Sequence, residues 1–344
     1  MSAAPLVSVG LPVYNGERYL ETTLADLLGQ SFEAFEVVAC DNASTDATPD
    51  ILADAARRDP RVRVVRNARN LGALPNANLA YRRSRAPLYV LSSYDDRHAP
   101  DFLARLVDAL EAAPGAGLAY GRSTLIDADD RPLAFDEARR VYRSPSGEAF
   151  DYDARLERPL ATGPVGRYRS VLRSNDVNAP IHGLFRRSVL DRVGPHQPHG
   201  SDRLVVAHAA LLAPFAFVDA PLFGFRIHPA STYHLTRSEW MARESGVEGA
   251  GSPLDGLHTL RAYLSAVGRS PLGPPRRGAA TLETLRYAAR PAVLRRLLLP
   301  SPDHYFGWTG TASIPTVTSL SADRGVDQER SEWRWMSESN MHRT

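Results

Sequence analysis

The sequence at positions 88–96 is LYVLSSYDD, and it decides the fold that we expect for this chain of 344 residues. Its first four residues form a continuous apolar run, which is typical of a buried strand in a parallel sheet. Ligands of such sheets bind just beyond the carboxyl ends of the strands. Two adjacent carboxylates, Asp95 and Asp96, follow this strand and repel each other unless a cation lies between them. The stretch predicts either a cation site that also holds phosphate oxygens or an acidic cap for the following helix.

Strand and helix patterns alternate before this stretch. Apolar runs at 6–11, 35–40 and 61–66 predict strands, and a helical pattern follows each of them. This alternation predicts an α/β fold with a doubly wound, mostly parallel sheet and flanking helices. The polar alternation of the third run predicts that this strand lies at an edge of the sheet.

The later part of the chain has a looser pattern. We expect a long irregular region at 123–178, then strands at 181–186, 215–218 and 222–228. Helices are predicted at 237–245 and 254–268, with a Pro/Gly/Arg linker at 271–278. An amphipathic helix is predicted at 282–299; it either lies on a membrane surface or packs on the main domain. This organisation predicts three parts: a main domain at 1–235, a helical appendage at 236–300 and a poorly structured tail at 301–344.

Composition narrows the class of protein. Hydrophobic residues make up 43% of the chain, enough for a full core. The formal net charge of +2 argues against nucleic-acid binding, which favours a strong basic excess. Cys40 is the single cysteine, so no internal disulfide can form, as suits a reducing cytoplasm. With no signal peptide or membrane span in the pattern, we expect a cytoplasmic protein that is at most peripheral at the inner face of the membrane.

Four short motifs stand at the ends of the predicted strands. They are PVYNG at 12–16, DNASTD at 41–46, NLG at 70–72 and YDD at 94–96. In this order and spacing they resemble the family 2 glycosyltransferases over roughly residues 5–235. The resemblance implies the GT-A fold, a nucleotide-diphosphate sugar as donor and inversion of the anomeric centre.

The resemblance also implies a nucleotide site. Tyr14 would stack on the nucleobase, and Asp41 would accept the ring N–H of uracil, thymine or guanine. Pro12 would fix the turn beside the base, Asn70 would approach the nucleotide, and Glu17 would contact the ribose. Tyr14 could instead only pack in its turn, Asp41 could cap a helix, and Glu17 could favour a helix N-terminus.

A divalent cation, Mg²⁺ or Mn²⁺, is the cofactor that the resemblance implies. Ser93 stands where the family most often has the first acid of its Asp–X–Asp pattern. We expect Asp95 on the ribose hydroxyls and Asp96 on the metal, with Asp95 as metal ligand left open. His228 would complete the metal shell or contact the diphosphate, and Arg226 would neutralise phosphate charge.

Asp202 is the candidate general base, because direct displacement requires a group that takes the proton of the attacking hydroxyl. It follows a flexible loop and begins a helix, so it could also be an ordinary first-turn residue. Arg203 would pair with Asp202 or with the diphosphate. Four histidines match no pattern and are interpreted as loop or packing residues: His182, His196, His199 and His208.

The sequence thus predicts a metal-dependent, inverting glycosyltransferase that uses a nucleotide-diphosphate sugar, UDP-sugar first, and an unknown hydroxyl acceptor. Polysaccharide or glycoconjugate synthesis would be its setting. Two alternatives stay open: a non-catalytic module that binds sugar nucleotides, and a sugar nucleotidyltransferase. The latter would need a Gly-rich phosphate loop after the first strand, and Gly16 alone does not supply one.

Overall fold

A computed structural model of the protein describes residues 4–136, 138, 141–143, 149–150, 159–174, 178–196, 201–228, 243, 255–291 and 293–294. The strands are β1 Val7–Val13, β2 Phe35–Asp41, β3 Val62–Arg66, β4 Leu88–Leu91, β5 Arg97–His98, β6 Leu118–Ile126, β7 Ala134–Asp136, β8 Val141–Arg143, β9 Ala149–Phe150, β10 Leu184–Arg186 and β11 Phe215–Arg226. The helices are α1 Leu20–Leu28, α2 Thr48–Arg58, α3 Ala73–Arg83, α4 Phe102–Ala112, α5 Pro164–Arg173, α6 Asn178–Ile181, α7 Arg187–Val193, α8 Ser201–Leu212, α9 Asp255–Arg269 and α10 Pro274–Ala288.

Eight of the described strands form one sheet in the order β3-β2-β1-β4-β10-β6-β11-β5. Neighbours from β3 to β4 run parallel, as do β6 and β11, whereas β10 and β5 run antiparallel to their neighbours. Every residue of β2 is buried, as expected of a strand covered on both faces by helices. The predicted α/β class with a mostly parallel sheet is confirmed, and β3 lies at the edge where its polar alternation placed it.

The irregular region predicted at 123–178 is partly wrong. Strand β6 continues to Ile126, a small antiparallel sheet follows with the order β7-β8-β9, and α5 covers Pro164–Arg173. Pro164 occupies the first turn of α5, where a missing N–H costs no helical hydrogen bond. Proline was therefore a helix-start signal here rather than a sign of irregular chain.

Three other predicted elements differ from the structure. The strand predicted at 181–186 begins only at Leu184, since α6 covers Asn178–Ile181. The strands predicted at 215–218 and 222–228 are the single strand β11. The linker predicted at 271–278 is also wrong beyond its first residues, because α10 begins at Pro274 with two prolines in its first turn. The helix predicted at 237–245 lies outside the described residues apart from Arg243.

Helices α9 and α10 pack against the main domain. Tyr263 and Ala266 of α9 and Ala280 of α10 share a buried cluster with residues of α5 and α8. Tyr168 of α5 hydrogen-bonds Thr284 of α10 at 2.7 Å, with both side chains buried. Of the two alternatives for this part of the chain, packing is thus observed for the described helices. The predicted boundary near 236 and the tail at 301–344 lie outside the described residues.

Candidate functional site

The ends of β1 and β2 lie side by side. Val13 pairs with Asp41 in the parallel register, and the Asn42 N–H donates to the Val13 carbonyl at 2.9 Å. Tyr14 follows β1 with 41% of its surface exposed, which leaves one ring face available for stacking. Pro12 lies inside β1, opposite Cys40, rather than in the turn after it. The structure therefore brings Tyr14 and Asp41 together at one edge of the sheet.

Asp41 is almost fully buried, and its carboxylate already has two partners. Oδ1 accepts the Ser44 N–H at 3.0 Å, and Oδ2 lies 3.2 Å from Nε of Arg66. Arg66 also donates to the Ser44 carbonyl at 3.1 Å, which holds its guanidinium over the turn. The carboxylate is thus fixed in orientation beside Tyr14 and electrically compensated by an exposed arginine.

A network of asparagines connects the motif at 41–46 with the motif at 70–72. The Asn42 side chain donates to Asn70 Oδ1 at 2.8 Å and accepts from Asn67 Nδ2 at 3.0 Å and from the Leu71 N–H at 2.9 Å. Asn76 donates to the Cys40 carbonyl at 2.7 Å. Asn70 is therefore a structural member of this network, and its Oδ1 also accepts the Gly72 N–H at 2.8 Å, where α3 begins.

Glu17 braces the loop after β1 against the loop after β2. Its Oε2 accepts the Ala47 N–H at 3.0 Å, and its own N–H donates to Asp46 Oδ2 at 3.1 Å. Ala47 is the residue that precedes α2, so the carboxylate favours the N-terminus of α2. This arrangement agrees with the alternative in which Glu17 favours a helix N-terminus, but the helix is α2 rather than α1, which follows Glu17 in the chain.

The acid pair lies beyond β4, next to the loop that follows β1. A Cβ added to Gly16 would stand 2.8 Å from the Tyr94 ring, so glycine permits this close approach. Thr23 Oγ1 lies within 2.9 Å of the Tyr94 and Asp96 carbonyls and fixes the backbone on both sides of Asp95. Burial, and next the charge of Asp95, raise the pKa of Tyr94 to about 12.

The two aspartates have different surroundings. Asp95 Oδ2 lies 3.1 Å from Nε2 of His228, just past the end of β11. Asp96 is 1% exposed; its Oδ1 accepts the Arg226 N–H at 2.8 Å, while Oδ2 has no hydrogen-bond partner among the described residues. Burial and the charge of Asp95 raise the pKa of Asp96 well above its usual range. Asp95 is therefore the more accessible of the two acids, whereas Asp96 is buried beside it.

Arg226 is saturated by internal partners, contrary to its predicted role on phosphate. Nε donates to the Asp95 carbonyl at 2.5 Å, Nη1 to the Asp127 carbonyl at 3.2 Å, and Nη2 to Asp130 Oδ1 at 2.6 Å. The guanidinium also lies 4.5 Å from the centre of the Tyr19 ring. A buried guanidinium needs such partners to offset its desolvation, which leaves it unsuited to a ligand.

Arg226 ends a chain of buried charges that alternate in sign. Asp130 pairs with Arg97 at 2.8 Å as well as with Arg226, and Arg97 pairs with Asp26 at 2.6 Å. Burial raises the pKa of Asp26, against the opposing hydrogen bond and charge of Arg97. The chain joins α1, β5, the turn after β6 and β11, and so fixes the backbone that carries Asp95.

The described residues fit a divalent cation in one place. Asp95 and His228 place an oxygen and an imidazole nitrogen in contact, and Mg²⁺ or Mn²⁺ is commonly held by few protein groups together with substrate phosphates. Within the described ranges, no group of three or more His, Cys, Asp or Glu residues forms a closed metal site. The geometry thus favours Asp95, the alternative left open by the sequence, over the buried Asp96 as a cation ligand.

Asp202 stands across the site, in the first turn of α8, with 45% of its side chain exposed. Its Oδ1 lies 3.8 Å from Nε2 of His196. His182 lies near it: the ring Nδ1 is 2.8 Å from the Leu91 carbonyl at the end of β4. Burial lowers the pKa of His182, whereas its bond to Leu91 and the charges of Asp202 and Asp95 raise it. His182 therefore lies within electrostatic reach of both Asp202 and Asp95.

Arg203, next to Asp202 in the first turn of α8, hydrogen-bonds the end of α5. Its Nη1 donates to the carbonyls of Val171 and Ser174, at the C-terminus of α5. Helix carbonyls at this end lack intrahelical partners, so a cation there completes the hydrogen bonding of α5.

The interpretation of His182 as a packing residue agrees with its stacking on Phe223, with ring centres 4.6 Å apart, and both His182 and His196 also lie near Asp202. A lone histidine carries no spacing signal, and both are brought to Asp202 by contacts with residues far away in the chain. The Gly that follows His182 was an available clue: a Cβ at Gly183 would stand 2.5 Å from the Ala119 carbonyl, so the chain runs unusually close to β6 there. Of the other two histidines, His208 packs in α8 and His199 lies outside the described residues.

The fold and the polar strand ends together define an α/β protein of the GT-A glycosyltransferase type. The chain belongs to glycosyl transferase family 2, since the sequence model of that family matches residues 8–194, more than half of its length. The match spans β1 through α7 and so includes the nucleotide-side motifs and the acid pair.

Curated relatives match in their sequences over shorter stretches. A protein of Bacillus subtilis with the provisional name teichuronic acid biosynthesis glycosyltransferase TuaG is 36% identical over 38% of this chain and 51% of its own length. The succinoglycan biosynthesis protein ExoO of Rhizobium meliloti is 30% identical over 41% of this chain and 40% of its own. An uncharacterized glycosyltransferase of Haemophilus influenzae is 28% identical over 32% and 34%. The chain thus matches about half or less of the length of these relatives.

Solved structures extend the likeness in fold. The crystal structure of S. aureus TarS 1–349 has a TM-score of 0.59 at 16% identity, covering 82% of this chain and 71% of that one. The same protein in complex with UDP-GlcNAc gives 0.58 at 18% identity, covering 82% and 72%. At these identities the likeness establishes the GT-A fold. Across the described residues, no helix is both long and apolar enough to cross a membrane.

Proposed function

We propose that this chain is a metal-dependent, inverting glycosyltransferase that moves a sugar from a nucleoside-diphosphate sugar to a hydroxyl acceptor. One set of contacts supports the proposal: the Asp95–His228 pair and the half-exposed Asp202 both lie within electrostatic reach of His182, whose ring Nδ1 is 2.8 Å from the Leu91 carbonyl at the end of β4. A module that only binds sugar nucleotides would have no need for an exposed carboxylate across from the donor site.

On the donor side, Tyr14 would stack on the nucleobase, and Asp41 would accept its ring N–H. The exposed Tyr14 ring and the fixed Asp41 carboxylate support this role, because both lie at the joined ends of β1 and β2. Base stacking on an aromatic ring contributes about 1–3 kcal/mol. The Arg66 partner of Asp41 is half-exposed and can move aside when a base enters. UDP is the first candidate, supported by the UDP-GlcNAc complex of the structurally similar TarS.

Asp95 and His228 would hold a divalent cation, Mg²⁺ or Mn²⁺. Their contact at 3.1 Å supports this assignment, since two unlike donors are held together at the end of β4 and β11. When bound, the cation adds positive charge beside the two phosphates of the leaving group. Arg226 holds Asp95 in place from behind through the Asp95 carbonyl.

The chemical step would be one displacement. The acceptor hydroxyl oxygen forms a bond to the anomeric carbon while the bond from that carbon to the diphosphate oxygen breaks. The electron pair of the broken bond leaves with the nucleoside diphosphate, and Asp202 takes the hydroxyl proton. The exposed carboxylate at the start of α8 supports this role, because a general base must reach the acceptor from the side opposite the leaving group.

The acceptor is expected to belong to a polysaccharide or another glycoconjugate. The names of two relatives, which refer to teichuronic acid and succinoglycan, support this class. The small sheet β7-β8-β9 would contribute to the acceptor side, since Phe225 and Ile227 next to the site share an apolar cluster with Tyr142 and Leu133.

A turnover assay with sugar nucleotides tests the proposal. Purified full-length chain is incubated with UDP-, dTDP- and GDP-sugars and Mn²⁺, and release of nucleoside diphosphate is measured with and without EDTA. Metal-dependent release, increased by an oligosaccharide acceptor, is the expected result. Pyrophosphate release would instead identify a nucleotidyltransferase. Tight nucleotide binding with no turnover for any donor or acceptor would identify a binding module.

We also propose a peripheral membrane contact through α10 and the chain that follows it. Leu282 and Leu285 are each 47% exposed beside the exposed Arg286, and the only acid of α10, Glu283, is buried and paired with arginines. An apolar stripe flanked by cations suits an anionic lipid surface. Co-sedimentation with anionic vesicles, lost in a double Leu282→Asp, Leu285→Asp variant, is expected; equal sedimentation of that variant would contradict it.

A further inference from the structure

His196 and Asp202 face each other across the start of α8. Nε2 of His196 lies 3.8 Å from Asp202 Oδ1. The nitrogen is buried and has no hydrogen-bond partner among the residues that the structure describes. A buried polar atom without a partner is costly, so its proximity to a carboxylate calls for an explanation.

The backbone of His196 is held by a helix of the donor side. The His196 N–H donates to Asn78 Oδ1 at 2.8 Å, and Asn78 Nδ2 donates to the His196 carbonyl at 3.0 Å. Asn78 lies in α3, the helix that begins directly after the Asn70 motif. These two hydrogen bonds fix the backbone on both sides of the His196 Cα.

We propose that His196 is a positioning residue for the general base: its Nε2–H faces Asp202 Oδ1, so that the other carboxylate oxygen points to the acceptor hydroxyl. The inference rests on the proposed function and adds a residue to it. Burial lowers the pKa of His196, while the charge of Asp202 raises it. The ring is therefore neutral near pH 7 and carries one N–H, which lies on the nitrogen facing the carboxylate.

In the reaction the acceptor proton passes to the other carboxylate oxygen of Asp202, and His196 keeps its own proton throughout. The distance of 3.8 Å between His196 Nε2 and Asp202 Oδ1 is longer than a hydrogen bond. Contacts of catalytic groups are often long in ligand-free sites and shorten when substrate is bound. His196 thus acts through Asp202 and touches no reacting atom.

Kinetics of a small set of variants test the inference. His196→Leu is expected to lower kcat about 10- to 100-fold with KM for the donor unchanged, because misplacement of a base affects the chemical step. His196→Gln, whose amide N–H can reach the same position, should recover most of the loss. His208→Leu is the matched control: His208 is also buried, but its neighbouring charges are Arg269 and Arg192, so its loss should leave kcat within about twofold.

A double variant separates positioning from general damage. If His196 acts only through Asp202, adding His196→Leu to Asp202→Asn should cause no further loss of kcat. Equal losses in both backgrounds, or a kcat of His196→Leu equal to that of the parent, would overturn the inference.

A titration independent of turnover completes the test. The groups that face His196 are Asp202 and His182, and the Asp202 charge is the one that raises its pKa. NMR of the His196 ring in the full chain should therefore give a lower pKa in Asp202→Asn than in the parent. An unchanged titration would refute the pairing even if no sugar nucleotide is turned over. If no turnover is found but the pKa of His196 differs between the parent and Asp202→Asn, the proposed function is contradicted while the pairing of His196 with Asp202 is retained.

Discussion

The proposed donor half and the proposed acceptor half of the site are built in different ways. In the proposed donor half, Tyr14, Asp41 and Asp95 stand at the ends of three neighbouring strands. A local bond from the Ser44 N–H fixes Asp41, and Asp95 is held by Arg226 and His228 at the end of β11. In the acceptor half, Asp202, His196 and His182 come from separate helices and loops, held by contacts across 118 and 91 residues of chain. The first half depends on parallel-strand geometry, and the second on side-chain contacts between elements.

This difference indicates how the two halves respond to substitution. A donor-side residue belongs to a network with several hydrogen bonds per side chain, so its substitution should lower both the stability of the fold and the affinity for the donor. The proposed role of an acceptor-side residue is to take or position a proton, so its substitution should mainly lower the rate. The following predictions test that division.

The largest effect is expected from Asp202→Asn. Removing the base should lower kcat about 10²- to 10⁴-fold, since this is the range that general base catalysis contributes. Donor affinity, measured by calorimetry with the nucleoside diphosphate, should change less than twofold. Asp101→Asn is the matched control, because Asp101 also stands at a helix start and is 50% exposed. A parent-like kcat in Asp202→Asn would remove this residue from its role.

Arg226→Met is expected to cost about 3–5 kcal/mol of unfolding free energy, because it removes the donors of the Asp95 and Asp127 carbonyls and one of the two arginines that pair with Asp130. Urea unfolding measures this loss. Arg131→Met, on the adjacent turn but 62% exposed, should cost about 1 kcal/mol or less. Unchanged stability of Arg226→Met together with weaker donor binding would restore the diphosphate role that the sequence indicated.

Acid should destabilise both halves through buried histidines, among them His98 beside the acid pair and His208 in α8. Burial lowers the pKa of His98, beside the acid pair, to about 3 and that of His208, in α8, to about 4. The unfolded chain binds these protons near the ordinary pKa, so stability is full above about pH 6.5 and falls below it. Each histidine contributes a slope of about 1.4 kcal/mol per pH unit between roughly pH 6 and 4.5.

His208→Leu should reduce that slope by the contribution of one proton, as measured by urea unfolding at several pH values. The matching comparison is the parent protein under the same conditions. A slope identical to that of the parent would mean that His208 is protonated in the folded chain.

The smallest effect is expected from Tyr168→Phe, which removes the bond between α5 and Thr284 of α10. A loss of about 1 kcal/mol in unfolding free energy is expected, the usual net value of one hydrogen bond. Donor binding should be unaffected. A change in donor affinity would mean that the C-terminal helices reach into the donor half.

Sequence reasoning was strongest where chemistry and backbone position coincide. The apolar run before Asp95 and the motifs after β1 and β2 predicted both the sheet and the edge at which the donor residues meet. Parallel strands bring their carboxyl ends together whatever the rest of the chain does. For these residues, the position in the sequence was sufficient to predict the position in the structure.

The prediction from sequence was weakest for side chains that can bind either a ligand or another residue of the protein. Arg226 and Arg203 carry the positive charge that phosphate requires. In the structure, however, Arg226 pairs with Asp130 and Arg203 hydrogen-bonds the last carbonyls of α5. His196 had no motif, because its link to Asp202 depends on Asn78 of a distant helix. Such preferences come from tertiary packing and desolvation, which a single sequence does not record.

The two hydrogen bonds of Asn78 have a practical consequence for redesign of this enzyme family. Helix α3 begins at the donor motif and also holds the peptide before the base, so the two halves share one rigid element. A chimera that imports only the segment between α7 and α8 from a relative would lose that shared support. The smallest transplant that preserves the crevice exchanges this segment together with the matching residue at position 78.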